Sequence, residues 1–158
     1  MTSNKAGFTV IELLIAVAII GILASIGFVR ISPPSARLLS NDIKAMVHQA
    51  RYEAVKRNRP IAFVWNEAED GFEIRLDSAS SSVLAACGGD TLLTSKAVAD
   101  YPRTTVSTDM PTSGLVWLPT GQGRACNGAP MISSDIRVVS GTISRVVEVT
   151  MGGKVTIK

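Results

Sequence analysis

From residue 8 to residue 29 the chain carries one charged side chain, Glu12, and every residue from Leu13 to Val29 is uncharged. Apolar side chains fall on all faces of this stretch, which is the pattern of a helix surrounded by lipid or by other helices. Gly21 and Gly27 within it lower intrinsic helicity but permit close approach of a neighbouring helix. Pro33 and Pro34 then remove two backbone donors in succession, so the helix should kink or break there. Ser32 or Ser35 is placed to cap a restarted helix.

After the prolines the pattern changes to amphipathic. Leu39, Ile43, Met46, Val47, Ala50 and Ala54 recur at spacings of three and four, and Lys44, Gln49, Arg51, Glu53, Lys56 and Arg57 take the opposite side. The period runs to about Asn58 and stops before Pro60. Its apolar stripe requires a sheet to cover it. Beyond Pro60 the period of two takes over, and strands are expected over residues 61–65, 72–76, 104–108, 115–118, 136–139, 146–151 and 154–157. The first pair flanks a polar, acidic hairpin loop. The last pair is joined by Gly152-Gly153, a two-residue hairpin signal. Residues 77–103 are the least regular and are expected to be a long surface excursion with a short helix near 92–99. The fold class is α+β: a long N-terminal helix, hydrophobic stem then amphipathic half, packed on an antiparallel β-sheet domain.

Composition adjusts this picture only slightly. At 158 residues the chain has room for one domain and its anchor, with about 125 residues left for a modest core once the anchor is set aside. The formal charge of +3 becomes +2 without residues 1–7, where Lys5 is the only charged side chain, and so small an excess does not by itself mark a nucleic-acid surface. Two cysteines, Cys87 and Cys126, lie in the part expected outside the cytoplasm, where a disulfide is permitted. A bond between them would close a loop of about 40 residues; the alternative is two buried thiols.

No catalytic chemistry is legible. His48 is the single histidine and sits on the amphipathic helix without a partner at ligand spacing. The acids between Asn66 and Gly71 lack the alternating ligand spacing and distal glutamate of a calcium loop. Gly121-Gln122-Gly123 is too short for a phosphate loop. Neither an enzyme, a metal nor a cofactor is expected.

Glu12 is the anomaly. A carboxylate among membrane-embedded residues is costly and is a functional hypothesis by default. The small residue before the apolar run, Gly7, is also on the wrong side for a secretory signal, whose cleavage site follows its apolar region. Cleavage at Gly7 would leave the whole apolar helix on the mature chain. The 22 residues from Phe8 to Val29 are long enough to cross a bilayer. Lys5 on one side and Arg30 and Arg37 on the other leave the topology open.

Gly7-Phe8-Thr9-x-Ile11-Glu12 and the apolar helix after it resemble the leader and N-terminal helix of type IV pilins and type II secretion pseudopilins. The stretch from Gln49 to Ile61, Trp117-Leu118-Pro119-x-Gly121, and Arg145 to Val155 resemble the branch of pseudopilin H and the FimT-type fimbrial-assembly minor pilins. The resemblance implies the pilin fold, with a leader over 1–7, a hydrophobic transmembrane and assembly helix over 8–32, an amphipathic helix over 33–59 and a β-rich domain over 60–158. It implies cleavage by a prepilin peptidase between Gly7 and Phe8, N-methylation of Phe8, and pairing of Glu12 with the N-terminus of a neighbouring subunit. The implied partners are other pilin subunits, the peptidase and an inner-membrane assembly platform. The implied location is the inner membrane, single-pass, with the domain in the periplasm, then a pilus or pseudopilus at the cell surface. Some relatives bind DNA through a basic terminal hairpin; here Arg145, Lys154 and Lys158 stand in that region, but Gly153-Lys154-Val155-Thr156 occupies positions where such relatives carry arginines. The remaining alternative is an envelope protein anchored in the membrane and never processed.

Overall fold

A run of apolar residues, interrupted by Glu12 in its first turn and by Ser25, forms helix α1, Val10–Gly27. The structure is a computed structural model and describes residues 10–27, 35–79, 82–110 and 114–158. The chain divides into two compact units, Met1–Ser32 and Pro33–Lys158. In the first unit every side chain described along α1, from Val10 to Gly21, is exposed.

The second unit is built on α2, Ser35–Arg57, whose buried face contains all six residues of the apolar stripe, joined by Ala36 and Ser40. Ser40 satisfies its buried hydroxyl by donating to the Ala36 carbonyl at 2.6 Å. The helix ends at Asn58, which takes a positive φ of 52°. Asn58 N–H donates to the Val55 carbonyl and Arg59 N–H to that of Ala54, so two of the last carbonyls are satisfied. Asparagine tolerates this left-handed position better than most residues, and Pro60 prevents continuation.

Among the described residues nine strands follow: β1 (Ile61–Asn66), β2 (Gly71–Leu76), β3 (Thr91–Ala97), β4 (Thr104–Thr108), β5 (Gly114–Trp117), β6 (Gly123–Ala125), β7 (Ser133–Ser140), β8 (Ile143–Thr150) and β9 (Val155–Ile157). They make two antiparallel sheets, one in the order β3-β2-β1-β5-β6 and one in the order β4-β7-β8-β9. The inward residues of both sheets close over α2. Phe63, Phe72, Ile74, Leu115 and Trp117 come from the first sheet, and Ile136, Val138, Val147 and Val149 from the second, all fully buried. Phe63 and Phe72 stack with ring centroids 5.3 Å apart, and Trp65 meets Phe72 edge-on at 4.8 Å. Each such pair adds about 0.5 to 1.5 kcal/mol beyond burial.

The first sheet is covered on its other face too. The short helix α3, Val83–Cys87, lies over Ala62, Val64 and Val116 and forms a second small core with them. This corrects the expectation for residues 77–103. The segment is not an open excursion, and residues 91–97 form an edge strand in place of the expected helix. The helix expectation failed because Leu92, Leu93 and Val98 suit either period over so short a run, and pairing with β2 decided between them. What remains helical is one 3₁₀ turn, Val98–Asp100.

The terminal hairpin also differs. Thr150 N–H donates to the Lys154 carbonyl at 3.0 Å, and Gly153 N–H closes a turn onto the Thr150 carbonyl at 2.8 Å. The loop is therefore the three residues 151–153, with Gly153 at φ 80°. A three-residue loop needs a left-handed residue at its third position, which glycine supplies.

Candidate assembly and binding sites

Gly7 and Phe8, the expected processing residues, lie outside the described residues, as do Pro33 and Pro34. Glu12 is exposed in the first turn of α1, where the helix dipole favours a carboxylate. Among the described residues no helix is long and apolar enough to cross a membrane. The described side chains of α1 end at Gly21, and the flanking residues of the expected span lie outside them.

Cys87, the last residue of α3, is disulfide-bonded to Cys126, which follows β6, and their Cα atoms are 5.8 Å apart. The bond fastens α3 over the outer face of the first sheet. Chain segments beside it are held by polar groups. Arg75 donates to the Gly89 carbonyl at 3.1 Å. Asp90 accepts from both the backbone and the hydroxyl of Ser78. Gly89 passes so close to β2 that a Cβ there would sit 2.5 Å from the Leu76 carbonyl.

Beside α3 the outer face of β2 carries a polar group that periodicity alone did not single out. Glu73 is 5% exposed. Its carboxylate accepts from Arg75 Nε and, at 2.9 Å, from Asn66 Nδ2. Burial raises its pKa, but the hydrogen bonds from Arg75 and Asn66 and the arginine's charge outweigh that, and the net shift is downward. Asn66, Glu73 and Arg75 line two open clefts of about 350 and 390 Å³. The only sequence signal for this arrangement is the alternation of Glu73 and Arg75 in β2, which puts both on the face away from α2.

On the side of α2, Tyr101 is 8% exposed and donates its hydroxyl to Asp42, which also lies 3.9 Å from Lys96. Burial first, and then the Asp42 carboxylate, hold the phenol well above the ordinary tyrosine range. His48 is exposed on α2, and among the described residues no group of acids, cysteines or histidine is placed to hold a metal ion.

Arg145, Lys154 and Lys158 are not gathered into one patch. Lys154 stands at the turn of the β8–β9 hairpin, and Lys158 at its open end pairs with Val146, next to Arg145. Four residues along a strand separate the two lysines by about 13 Å. Lys158 Nζ also lies 2.9 Å from the Glu148 carboxylate, which raises the lysine pKa and offsets its charge.

Comparison with known proteins agrees with this architecture. Residues 2–28 match the family described as prokaryotic N-terminal methylation motif, and residues 39–153 match the family described as Type II transport protein GspH. No curated protein sequence matches the chain. Among solved structures, the type IV minor pilin FimU of Pseudomonas aeruginosa is similar in two crystal forms. One is 17% identical with a TM-score of 0.59, covering 77% of this chain and 87% of that one. The other is 18% identical with a TM-score of 0.57, covering 77% and 91%. The minor pseudopilin EpsH from the type 2 secretion system of Vibrio cholerae is 8% identical with a TM-score of 0.56, covering 78% of this chain and 96% of that one. At these identities the likeness is one of fold: a helix laid against antiparallel sheets. With 115 of its 158 residues inside the matched region, the chain belongs to the Type II transport protein GspH family, and its fold is that of the minor pilin and minor pseudopilin structures.

Proposed function

We propose that the chain is made as an inner-membrane precursor, single-pass with its β-rich domain in the periplasm. A prepilin peptidase cuts it between Gly7 and Phe8 and methylates Phe8, and an assembly platform then moves it into a pilus or pseudopilus. The observation that carries this reading is α1 itself: a helix apolar on every face, exposed at each described side chain from Val10 to Gly21, with a single acid in its first turn. On leaving lipid, such a helix keeps its apolar surface out of water only by packing among other helices. Glu12 then requires a cation, which the new N-terminus of a neighbouring subunit supplies. A charge pair at 4 Å is worth up to about 4 kcal/mol at an effective dielectric of 20, enough to offset much of the burial and to select one axial register.

Mass analysis of the mature N-terminus tests the processing step: a chain beginning at methylated Phe8 is expected, and one beginning at Met1 overturns it. The Glu12→Ala variant should insert in the membrane normally yet fail to enter filaments. Normal incorporation would remove the assigned role of Glu12.

A further inference from the structure

Helix α2 carries a second stripe that its own domain does not use. Leu38, Asn41, Ala45, His48, Tyr52 and Val55 are spaced alternately by three and four residues, and all six are exposed, Leu38 by 44%, Tyr52 by 63% and Val55 by 53%. This is a heptad seam in which Leu38, Ala45 and Tyr52 take the a positions and Asn41, His48 and Val55 the d positions. The residues buried against the two sheets lie on the opposite side of the helix. Over 18 residues the seam is about 27 Å long.

We infer that this seam pairs two copies of the chain through their α2 helices, parallel and in register. Asn41 and His48 decide against an apolar partner such as residues 13–24 of α1, which would leave two buried polar side chains without hydrogen bonds. In register, Asn41 meets Asn41 and His48 meets His48 of the second copy, and each pair supplies both a donor and an acceptor. Ala45, between them, lets the two backbones approach.

The flanking charges select the parallel arrangement. Arg37, Lys44 and Arg51 border one side of the seam, and Asp42, Gln49 and Lys56 the other. An antiparallel pair sets the first side against itself, cation against cation. A parallel pair sets Arg37 against Asp42 of the second copy, the position five residues on in the partner helix. Tyr101 and Lys96 both approach Asp42 at Oδ2, so its Oδ1 is without a partner among the described residues. Arg51 and Lys56 would stand opposite each other. Arg51 is turned away onto the Gly121 carbonyl, and Lys56 lies between Glu53 and the Tyr52 ring.

This inference rests on the proposed membrane-anchored precursor in one respect: two chains held in one membrane meet at a raised effective concentration.

Cysteine crosslinking of the full chain in membranes tests the pairing. The Ala45→Cys variant should form a covalent homodimer about tenfold faster than Thr105→Cys, an exposed control on β4, because the seam holds the two thiols together. Adding Leu38→Glu and Val55→Glu should return the rate to that of the control without changing the melting temperature. A rate no higher than the control overturns the inference. So does crosslinking of the Ala45→Cys variant to an Ala18→Cys chain in preference to itself, which would place α1 on the seam. The experiment is run on unprocessed precursor in cells lacking the peptidase, so failure of the filament reading leaves this result standing.

Discussion

Arg51 and Gly153 share one space. A Cβ on Gly153 would sit 2.7 Å from Arg51 Nη1 and 2.9 Å from its Cδ. The arginine donates from Nε to the Gly121 carbonyl at 3.1 Å, so one side chain of α2 reaches the loop before β6 and packs on the β8–β9 turn. The amphipathic period places Arg51 among the solvent-facing residues, yet it is only part-exposed. Gly153→Ala should cost roughly 1 to 3 kcal/mol, combining left-handed strain with displacement of the arginine. Arg51→Ala should cost about 1 kcal/mol. Denaturant unfolding of residues 33–158, a compact unit with its own core, should show the double variant losing less than the sum. Full additivity would mean that the two residues do not interact.

The Cys87–Cys126 bond closes a loop with a sequence separation of 39. In the chain-entropy model this contributes roughly 4 kcal/mol, and it also keeps α3 over Ala62, Val64 and Val116. Reduction, or the paired Cys87→Ser and Cys126→Ser change, should lower the unfolding midpoint and expose that small apolar cluster. Hydrogen exchange should accelerate first in α3 and at β3. Protection unchanged in α3 after reduction would show that packing alone holds it.

Glu73 links stability to pH. Its folded pKa lies below its unfolded value, so the unfolded state binds the proton more readily. The stabilisation is present above the ordinary glutamate range and is lost as pH falls through the folded value. Urea unfolding from pH 7 down to about pH 3 should show the wild type losing more stability than Glu73→Gln over that interval. Arg75→Met should be more damaging than Glu73→Gln at neutral pH, because it leaves a buried carboxylate short of its cation. Parallel pH curves for wild type and Glu73→Gln would assign the acid sensitivity to other carboxylates.

The N-terminal segment is legible in the order of residues alone. Gly7, Phe8 and Glu12 sit at the start of an apolar run by covalent sequence alone, and the charge pattern there needs no tertiary context to be recognised. The stripe from Leu39 to Ala54 is equally plain, since a helix converts sequence spacing directly into a face. Strands β1, β2, β4, β7 and β8 were visible for the same reason, with ends moved by a residue or a few.

The sequence by itself determined the N-terminal apolar helix, the buried face of α2 and most of the strands, because each depends on a period a few residues long. Only the tertiary structure decided the rest. That residues 91–97 are an edge strand depends on the open side of β2. That Glu73 is buried with Arg75 and Asn66 depends on the turn between β1 and β2 and on the neighbouring segment held by the disulfide. That Arg51 reaches Gly121 and packs on Gly153 depends on two turns 70 and 102 positions further along the chain. Such relations join segments whose proximity is set by the packing of two sheets around one helix, and no local period encodes that distance.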